Sequence, residues 1–307
     1  MPGRVVVRAP ASIANLGCLF DAAAMAIEAF YDEVIAEETG GELKVEAEGE
    51  NVPSGKMNVA YAAAQHLLTM VYGRETGVLI MVRKGVPVGS GLGSSGASAA
   101  ATVVAVNELL GIGASVAELL EAAGAGEALA AGSAHYDNAA ASLLGGIVLI
   151  DPQNPRLHVV LEPPSWLHVV VFFRQSPHAQ KTKAMRCILP ESVGLRDASH
   201  WAFTAAAFAA GLARGIKRCI SFASDGGIVE SVRARSIPGY WEMKRAALRT
   251  GALAFNISGA GPSLFALAEE DKLDSIVSEV MKLAPGYRPI VTRVELRGAI
   301  RNVESRR

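Results

Sequence analysis

The sequence predicts a fold of mixed helices and strands, α+β or α/β, divided into two parts. Three observations lead there. β-rich runs and helical patterns alternate in both halves of the chain. The composition shifts near Asp151, and a length of 307 residues suits about two domains of roughly 150 residues each.

In chain order, residues 5–7 and 31–36 are rich in β-branched and aromatic side chains and are expected as strands. Residues 42–48 alternate apolar and charged side chains, the pattern of a half-exposed strand. Helical spacing runs from Asn58 to about Tyr72, and 78–83 is again β-rich. Residues 95–110 form a small-residue helix that Gly111 stops, a residue suited to the left-handed turn after a helix. Ser115 with Glu118 has capping-box spacing and opens the next helix. Gly145-Gly146 is a turn into a strand at 147–150. Asp151-Pro152-Gln153-Asn154-Pro155 and Pro163-Pro164 are turn clusters, so a boundary is expected near 150–165, dividing 1–155 from 156–307. The second part reads as a strand at 168–173, helices near 199–214 and 239–250, a strand near 263–268, a helix near 271–283 and a strand near 290–296. No internal repeat and no low-complexity tract is evident.

Composition narrows the function classes. With 29 Lys+Arg against 30 Asp+Glu the formal net charge is −1, and no basic excess marks a dedicated nucleic-acid binder. Half the residues are apolar, which argues against a disordered chain. The mean hydropathy of +0.28 is inflated by alanine, and no window reaches 18 consecutive apolar residues, so no membrane span is expected. The N-terminal residues lead straight into a strand-like run, with no signal-peptide pattern. Cys18, Cys187 and Cys219 are odd in number and widely spaced, and read as reduced thiols of a cytoplasmic protein. The expected partner is a small molecule. The oligomeric state is not given, and a homodimer stays open.

The most informative stretch is Pro87-Val88-Gly89-Ser90-Gly91-Leu92-Gly93-Ser94-Ser95-Gly96-Ala97, between a strand and an Ala-rich helix. Spaced glycines let backbone N–H groups converge, and the helix adds its free N–H groups and positive dipole end, a cradle for phosphate. Ser90, Ser94 and Ser95 add hydroxyls. Residues 91–96 formally match the dinucleotide fingerprint G-x-G-x-x-G, but that motif wants an acidic residue about 20 positions on. Glu108 comes too soon and lies inside a helix. No Gly-Lys-Ser/Thr occurs, which excludes a Walker A loop. A plain glycine turn does not call for so many glycines and serines at one strand-to-helix joint.

This loop resembles the ATP loop of the GHMP small-molecule kinases. Two further segments agree in order and cover nearly the whole chain: Arg8-Ala9-Pro10-Ala11-Ser12-Ile13-Ala14-Asn15-Leu16-Gly17 and Asn256-Ile257-Ser258-Gly259-Ala260-Gly261-Pro262-Ser263. The resemblance implies a two-domain α+β fold, with an N-terminal domain like ribosomal protein S5 and a ferredoxin-like C-terminal domain. It implies ATP as phosphate donor, bound by the loop, with Asn58 placed where the family builds its adenine pocket. It also implies Mg²⁺, with Glu127 in Gly126-Glu127-Ala128 as carboxylate ligand and Ser94 as hydroxyl partner. A lone Glu on a helix is ordinarily a solvated charge, but Glu127 stands among Ala and Gly.

Within that family the segments are most similar to those of homoserine kinases, which implies L-homoserine as substrate, on the way to threonine. Ala14-Asn15-Leu16-Gly17-Cys18-Leu19-Phe20-Asp21 departs from the usual segment in having Cys18-Leu19 for Pro-Gly, but keeps Asn15 and Asp21. The resemblance makes these substrate contacts, and a carboxylate suits an α-ammonium. His135, in Gly132-Ser133-Ala134-His135-Tyr136-Asp137-Asn138, is implied near the substrate. Counting back from Gly145-Gly146, the position of the general base in mevalonate-type members falls on Asn138. An amide is no base, so the implied mechanism positions the hydroxyl and lets the γ-phosphate take its proton. Arg186 in 182–190 and Arg233 in 231–240 resemble the two arginine segments that hold the substrate carboxylate, with Arg235 as a surface charge. Asn138 and Arg186 are thus the expected catalytic residues. The rivals are another GHMP enzyme (a mevalonate-pathway kinase or decarboxylase, or an archaeal-type shikimate kinase) and a non-catalytic sensor of nucleotide and metabolite.

Overall fold

The computed structural model describes residues 3–49, 52–74, 76–132, 134–175, 181–301 and 303–306. Among them the strands form two sheets. The first contains β1 (Arg4–Ala14), β2 (Ala23–Glu38), β3 (Lys44–Glu48), β4 (Val78–Arg83), β5 (Ile147–Asp151), β6 (Asn154–Leu161) and β11 (Val303–Arg306). Its order is β11-β1-β2-β4-β3, with β5 paired to the start of β2 and β6 to β5. Every pair is antiparallel except β3–β4. The second contains β7 (His168–Phe173), β8 (Ala254–Ile257), β9 (Leu264–Ala268) and β10 (Arg288–Thr292), in the order β10-β7-β9-β8. All its pairs are antiparallel, and helices separate β7 from β8 and β9 from β10. This is the βαββαβ succession of a ferredoxin-like unit.

Helices α1 (Val59–His66), α2 (Ser94–Leu110), α3 (Val116–Ala131) and α4 (Asp137–Leu144) belong to the first part. The second carries α5 (Lys181–Cys187), α6 (Leu195–Arg214), α7 (Lys217–Ile220), α8 (Gly227–Ala234), α9 (Tyr240–Arg249) and α10 (Leu273–Met281). α2 explains the alanine excess. All twelve of its residues from 96 to 107 are buried, and a helix enclosed on every side needs small side chains where neighbours approach. Gly93 and Gly111 bracket it in left-handed conformations, and Ser115 and Glu118 form the expected capping box on α3. The expected helix from Asn58 runs as α1 and then as a π-helical turn at Leu67–Val71. Among the described residues no helix is long and apolar enough to cross a membrane.

The expected division at 155/156 falls inside β6, and the chain passes between the sheets over 162–167. Pro155 sits within this strand because β6 pairs on one side alone, where a missing N–H breaks no ladder. β11 returns the end of the described chain to the first sheet beside β1. α4, α5, α8 and β8 were not expected. α8 opens on Gly226-Gly227, which lowers helix propensity, and its buried face brings Val229 and Arg233 inward.

Candidate active site

The three sequence segments meet at one place. Ser12 donates its backbone N–H to Leu92 O at 3.1 Å, Gly259 donates to Ala14 O at 3.2 Å, and Ser263 donates to Ser90 O at 3.2 Å. The Ser258 hydroxyl donates to Gly91 O at 2.6 Å. The glycines of the loop are required by this crowding. Gly91 and Gly93 have φ of +81° and +68°. A Cβ on Gly91 would lie 2.5 Å from Ser258 O, and one on Gly93 would lie 2.1 Å from Ser12 Oγ. Around this junction opens a cleft of about 370 Å³.

At one end the cleft is lined by Val88, Gly89, Gly91, Gly93, Ser94 and Ser95. Gly93 caps α2 without a side-chain hydrogen bond, which leaves the first-turn N–H groups of the helix for a ligand. The loop stands on a buried ion pair. Lys84 donates to the Asp32 carboxylate, to Ser94 O at 2.7 Å and to the Ser98 hydroxyl at 2.8 Å. Asp32 also accepts the N–H groups of Gly85 and Val86, at 3.0 and 2.9 Å, and the Ser98 hydroxyl at 2.7 Å. Burial pushes the Lys84 ammonium below its usual range, while Asp32 opposes that shift.

Glu127, on α3, is buried at the same end. Burial raises its carboxyl to about 7, against the lowering pull of the Ser95 hydroxyl and of Lys84. Its Oε1 has no hydrogen-bond partner among the described residues. A buried carboxylate oxygen without a partner is costly unless a cation or proton meets it. Mg²⁺ takes one or two carboxylates and completes its shell with phosphate and water, so this donor set fits it. Among the described residues there is no group of three or more His, Cys, Asp or Glu to hold a metal by protein ligands alone. Ser94, the expected hydroxyl partner, lines the cleft and donates to Val86 O at 2.8 Å.

The cleft is also lined by charged side chains. Asp21 accepts two bonds from Nη2 of Arg186, both at 2.7 Å. Arg233 is 4% exposed and donates from Nη1 to Gly259 O at 2.8 Å. Burial lowers its pKa to about 10; Asp21 opposes that and Arg186 adds to it. The Nε–H groups of both arginines are buried without a partner among the described residues. Asn15 accepts the Asp21 N–H at 3.1 Å, and His135 and Asn138 line the same wall. The Ser12 hydroxyl donates to Asn138 Oδ1 at 2.8 Å, which seats that amide beneath the glycine loop.

Val52, Pro53, Met57, Val59 and Leu129 give the cleft an apolar margin. Asn58 borders it, but its side chain is spent locally: it accepts Ala60 N–H at 2.9 Å as the α1 cap and donates to Pro53 O at 2.7 Å. Of the other expected loop contacts, Ser90 donates to Pro87 O at 2.7 Å, Leu92 is in the core, and Gly96 and Ala97 are buried, Gly96 against α4. They shape the loop from behind and do not line the cleft. Arg235 is exposed. Cys18 is buried beside Thr204, and burial pushes its thiol up, so the Cys18-Leu19 departure is absorbed by packing outside the cleft. Ser133 lies outside the described residues.

Sequence reasoning missed Lys84, Asp32, Phe20 and Asp137. Asp137 is 3% exposed and lines the cleft. Burial, with Asp21 and Glu127 nearby, raises its carboxyl to about 7. Counting back from the glycine pair stopped one residue away, at Asn138. The available signal was an acid beside Asn138 in the same segment.

Comparison with known proteins bears on this site. The family model for the GHMP kinases N terminal domain matches residues 58–146, and that for the GHMP kinases C terminal matches 204–284. A homoserine kinase of Aeropyrum pernix is 42% identical, covering 91% of each chain. One from Thermoplasma acidophilum is 36% identical over 97% of this chain and 93% of its own. A solved homoserine kinase from Cytophaga hutchinsonii superposes with a TM-score of 0.87 at 33% identity, covering 98% of this chain and 97% of that one. A mevalonate diphosphate decarboxylase from Staphylococcus aureus, at 16% identity and a TM-score of 0.75 over 100% of this chain and 99% of that one, shares the fold.

Proposed function

This chain belongs to the GHMP kinase family, and we propose that it transfers the γ-phosphoryl group of ATP to the side-chain hydroxyl of L-homoserine, giving O-phospho-L-homoserine and ADP. The product is an intermediate toward threonine. One observation carries the choice of substrate. Among the described residues two buried arginine Nε–H groups lack partners in the cleft that also holds Asp21 and the glycine loop. An α-amino acid supplies a carboxylate for the arginines and an ammonium for Asp21. Mevalonate and shikimate carry a carboxylate but no ammonium.

The backbone N–H groups of the loop and of the first turn of α2 receive the phosphates, and the apolar margin suits a flat adenine base. Glu127 and the Ser94 hydroxyl would hold Mg²⁺. When bound, the ion neutralises charge on the β- and γ-phosphates. Asn138 is suited to orient the substrate hydroxyl beside the loop. That oxygen attacks the γ-phosphorus, the bond to the bridging oxygen breaks, and ADP leaves. Two groups could accept the hydroxyl proton: the transferred phosphate, and Asp137, whose pKa raised to about 7 suits a base at neutral pH. The three free cysteines are compatible with a reducing, cytoplasmic setting.

A coupled ADP-release assay across homoserine, mevalonate and shikimate tests the reading. Turnover of homoserine alone is expected. Turnover of mevalonate without homoserine would sink it, and nucleotide binding without any ADP formation would mark a sensor.

A further inference from the structure

We propose that Phe20 is a positioning residue that holds the two arginines of the carboxylate clamp side by side on one aromatic ring. The proposal rests on the reading of Arg186 and Arg233 as that clamp. Their guanidinium carbons lie 5.1 and 5.3 Å from the centroid of the Phe20 ring. The arginines come from α5 and α8, 47 positions apart in sequence, and two like charges do not gather without something between them. Asp21 supplies one counter-charge, and among the described residues it pairs with Arg186 and not with Arg233. Asp21 and Asp137 also act on Arg233 through space, but neither fixes the two guanidinium groups side by side. The ring does, because the negative face of an aromatic ring attracts a guanidinium without accepting its N–H groups.

That last property decides the assignment. Each arginine is anchored at its Nη end, Arg186 on Asp21 and Arg233 on Gly259 O, and each keeps its Nε–H buried and uncommitted among the described residues. A polar side chain at position 20 would consume those donors, and an aliphatic one would exert no comparable pull. A ring leaves them free while fixing their plane. The backbone is built to hold the ring there. Asn15, Leu16 and Asp21 adopt φ of +77°, +33° and +58°, conformations that cost a side-chain-bearing residue energy. The Asn15 side chain closes this segment on the Asp21 N–H. Gly17, with φ +81°, packs so tightly on Ala223 that a Cβ would lie 2.5 Å from its carbonyl oxygen. Phe20 and Asp21 are therefore presented together by one strained loop.

The test compares wild type with Phe20→Leu and Phe20→Tyr. In Phe20→Leu the KM for homoserine is expected to rise about tenfold, the worth of roughly one cation–π contact with each arginine. Its kcat and its KM for ATP should stay within about twofold of wild type on the same footing. Phe20→Tyr keeps the ring and should restore the homoserine KM. L-2-Amino-1,4-butanediol, which lacks the carboxylate, should compete equally well against both proteins. An unchanged homoserine KM in Phe20→Leu overturns the proposal. So does a joint rise of both KM values with a lowered Tm, which would mean a collapsed loop. Absence of homoserine turnover in the wild type would instead overturn the function on which the proposal rests.

Discussion

Two buried carboxylates flank Lys84, and they are finished in opposite ways. Asp32 has all its needs met within the chain: an ammonium, a serine hydroxyl and two backbone N–H groups. Glu127 has a serine hydroxyl, the field of Lys84 and one oxygen with no partner among the described residues. The first arrangement holds two chain segments together and admits nothing further. The second leaves a lone pair for a cation or a proton. Burial alone does not distinguish a structural acid from a working one; the count of satisfied lone pairs does.

The sharpest test of that contrast is to delete each acid. Asp32→Ala leaves a buried ammonium uncompensated and is expected to cost about 3–5 kcal/mol of stability, read as a lower denaturation midpoint. Glu127→Ala should leave the midpoint unchanged or raised, since an unfavourably buried carboxyl is removed. Its kcat for ADP release should fall about 10²–10³-fold, the scale of losing one preorganised electrostatic group. If Glu127→Ala retains near-wild-type turnover, the metal assignment is wrong; if it unfolds like Asp32→Ala, the contrast itself fails.

Next in size is a pH effect on the protein free of metal and nucleotide. Glu127 and Asp137 both have pKa values raised to about 7 in the folded state. The folded protein therefore binds protons that the unfolded chain has released, and what these two groups contribute to stability is greatest below about pH 4. That contribution should decline by several kcal/mol, about 8 at the most, as pH rises to about 7 and then level off. Thermal melts across pH 4–8 check this, and Mg²⁺ should recover part of the loss at the upper end. Asp137→Asn separates the two proton acceptors. If the carboxylate takes the hydroxyl proton, kcat falls about 10²-fold and the acidic limb of the pH–rate profile disappears. Retention of both would assign the proton to the phosphate. The smallest effect is expected at Ser95→Ala, a rise of less than about tenfold in the Mg²⁺ concentration for half-maximal rate, from one lost hydrogen bond to Glu127.

What could be read from the residues alone was what is local. The glycine loop, the Gly111 stop and the Ser115–Glu118 box carry their conformations in adjacent residues. Asn15, Asp21, Glu127, Asn138, Arg186 and Arg233 were named through the resemblance of whole segments, and the fold gathers all six on one cleft. The remainder depended on topology. Lys84 and Asp32 stand 52 positions apart and meet because β2 and β4 are neighbours, pairing Glu33 with Arg83. Phe20 looked like an ordinary apolar residue of its segment until two helices from the second half brought an arginine to it. The turn cluster read at 151–155 is a turn at 152–153, and β6 begins already at Asn154 because an edge position tolerates Asn154 and Pro155.

The bonds that join the three sequence segments also carry a signature in time. The N–H groups of Ser12, Gly259 and Ser263 are each spent on a carbonyl of a different segment. Should the sheets part, those of Gly259 and Ser263 are released by the same event that spreads the glycine loop. Their deuterium uptake would then share one opening rate, while Ser12, bonded within the first sheet's own unit, would exchange more slowly. Bound nucleotide would slow the first pair, so that two amides of the chain's last fifth become a clock for what occupies the phosphate cradle.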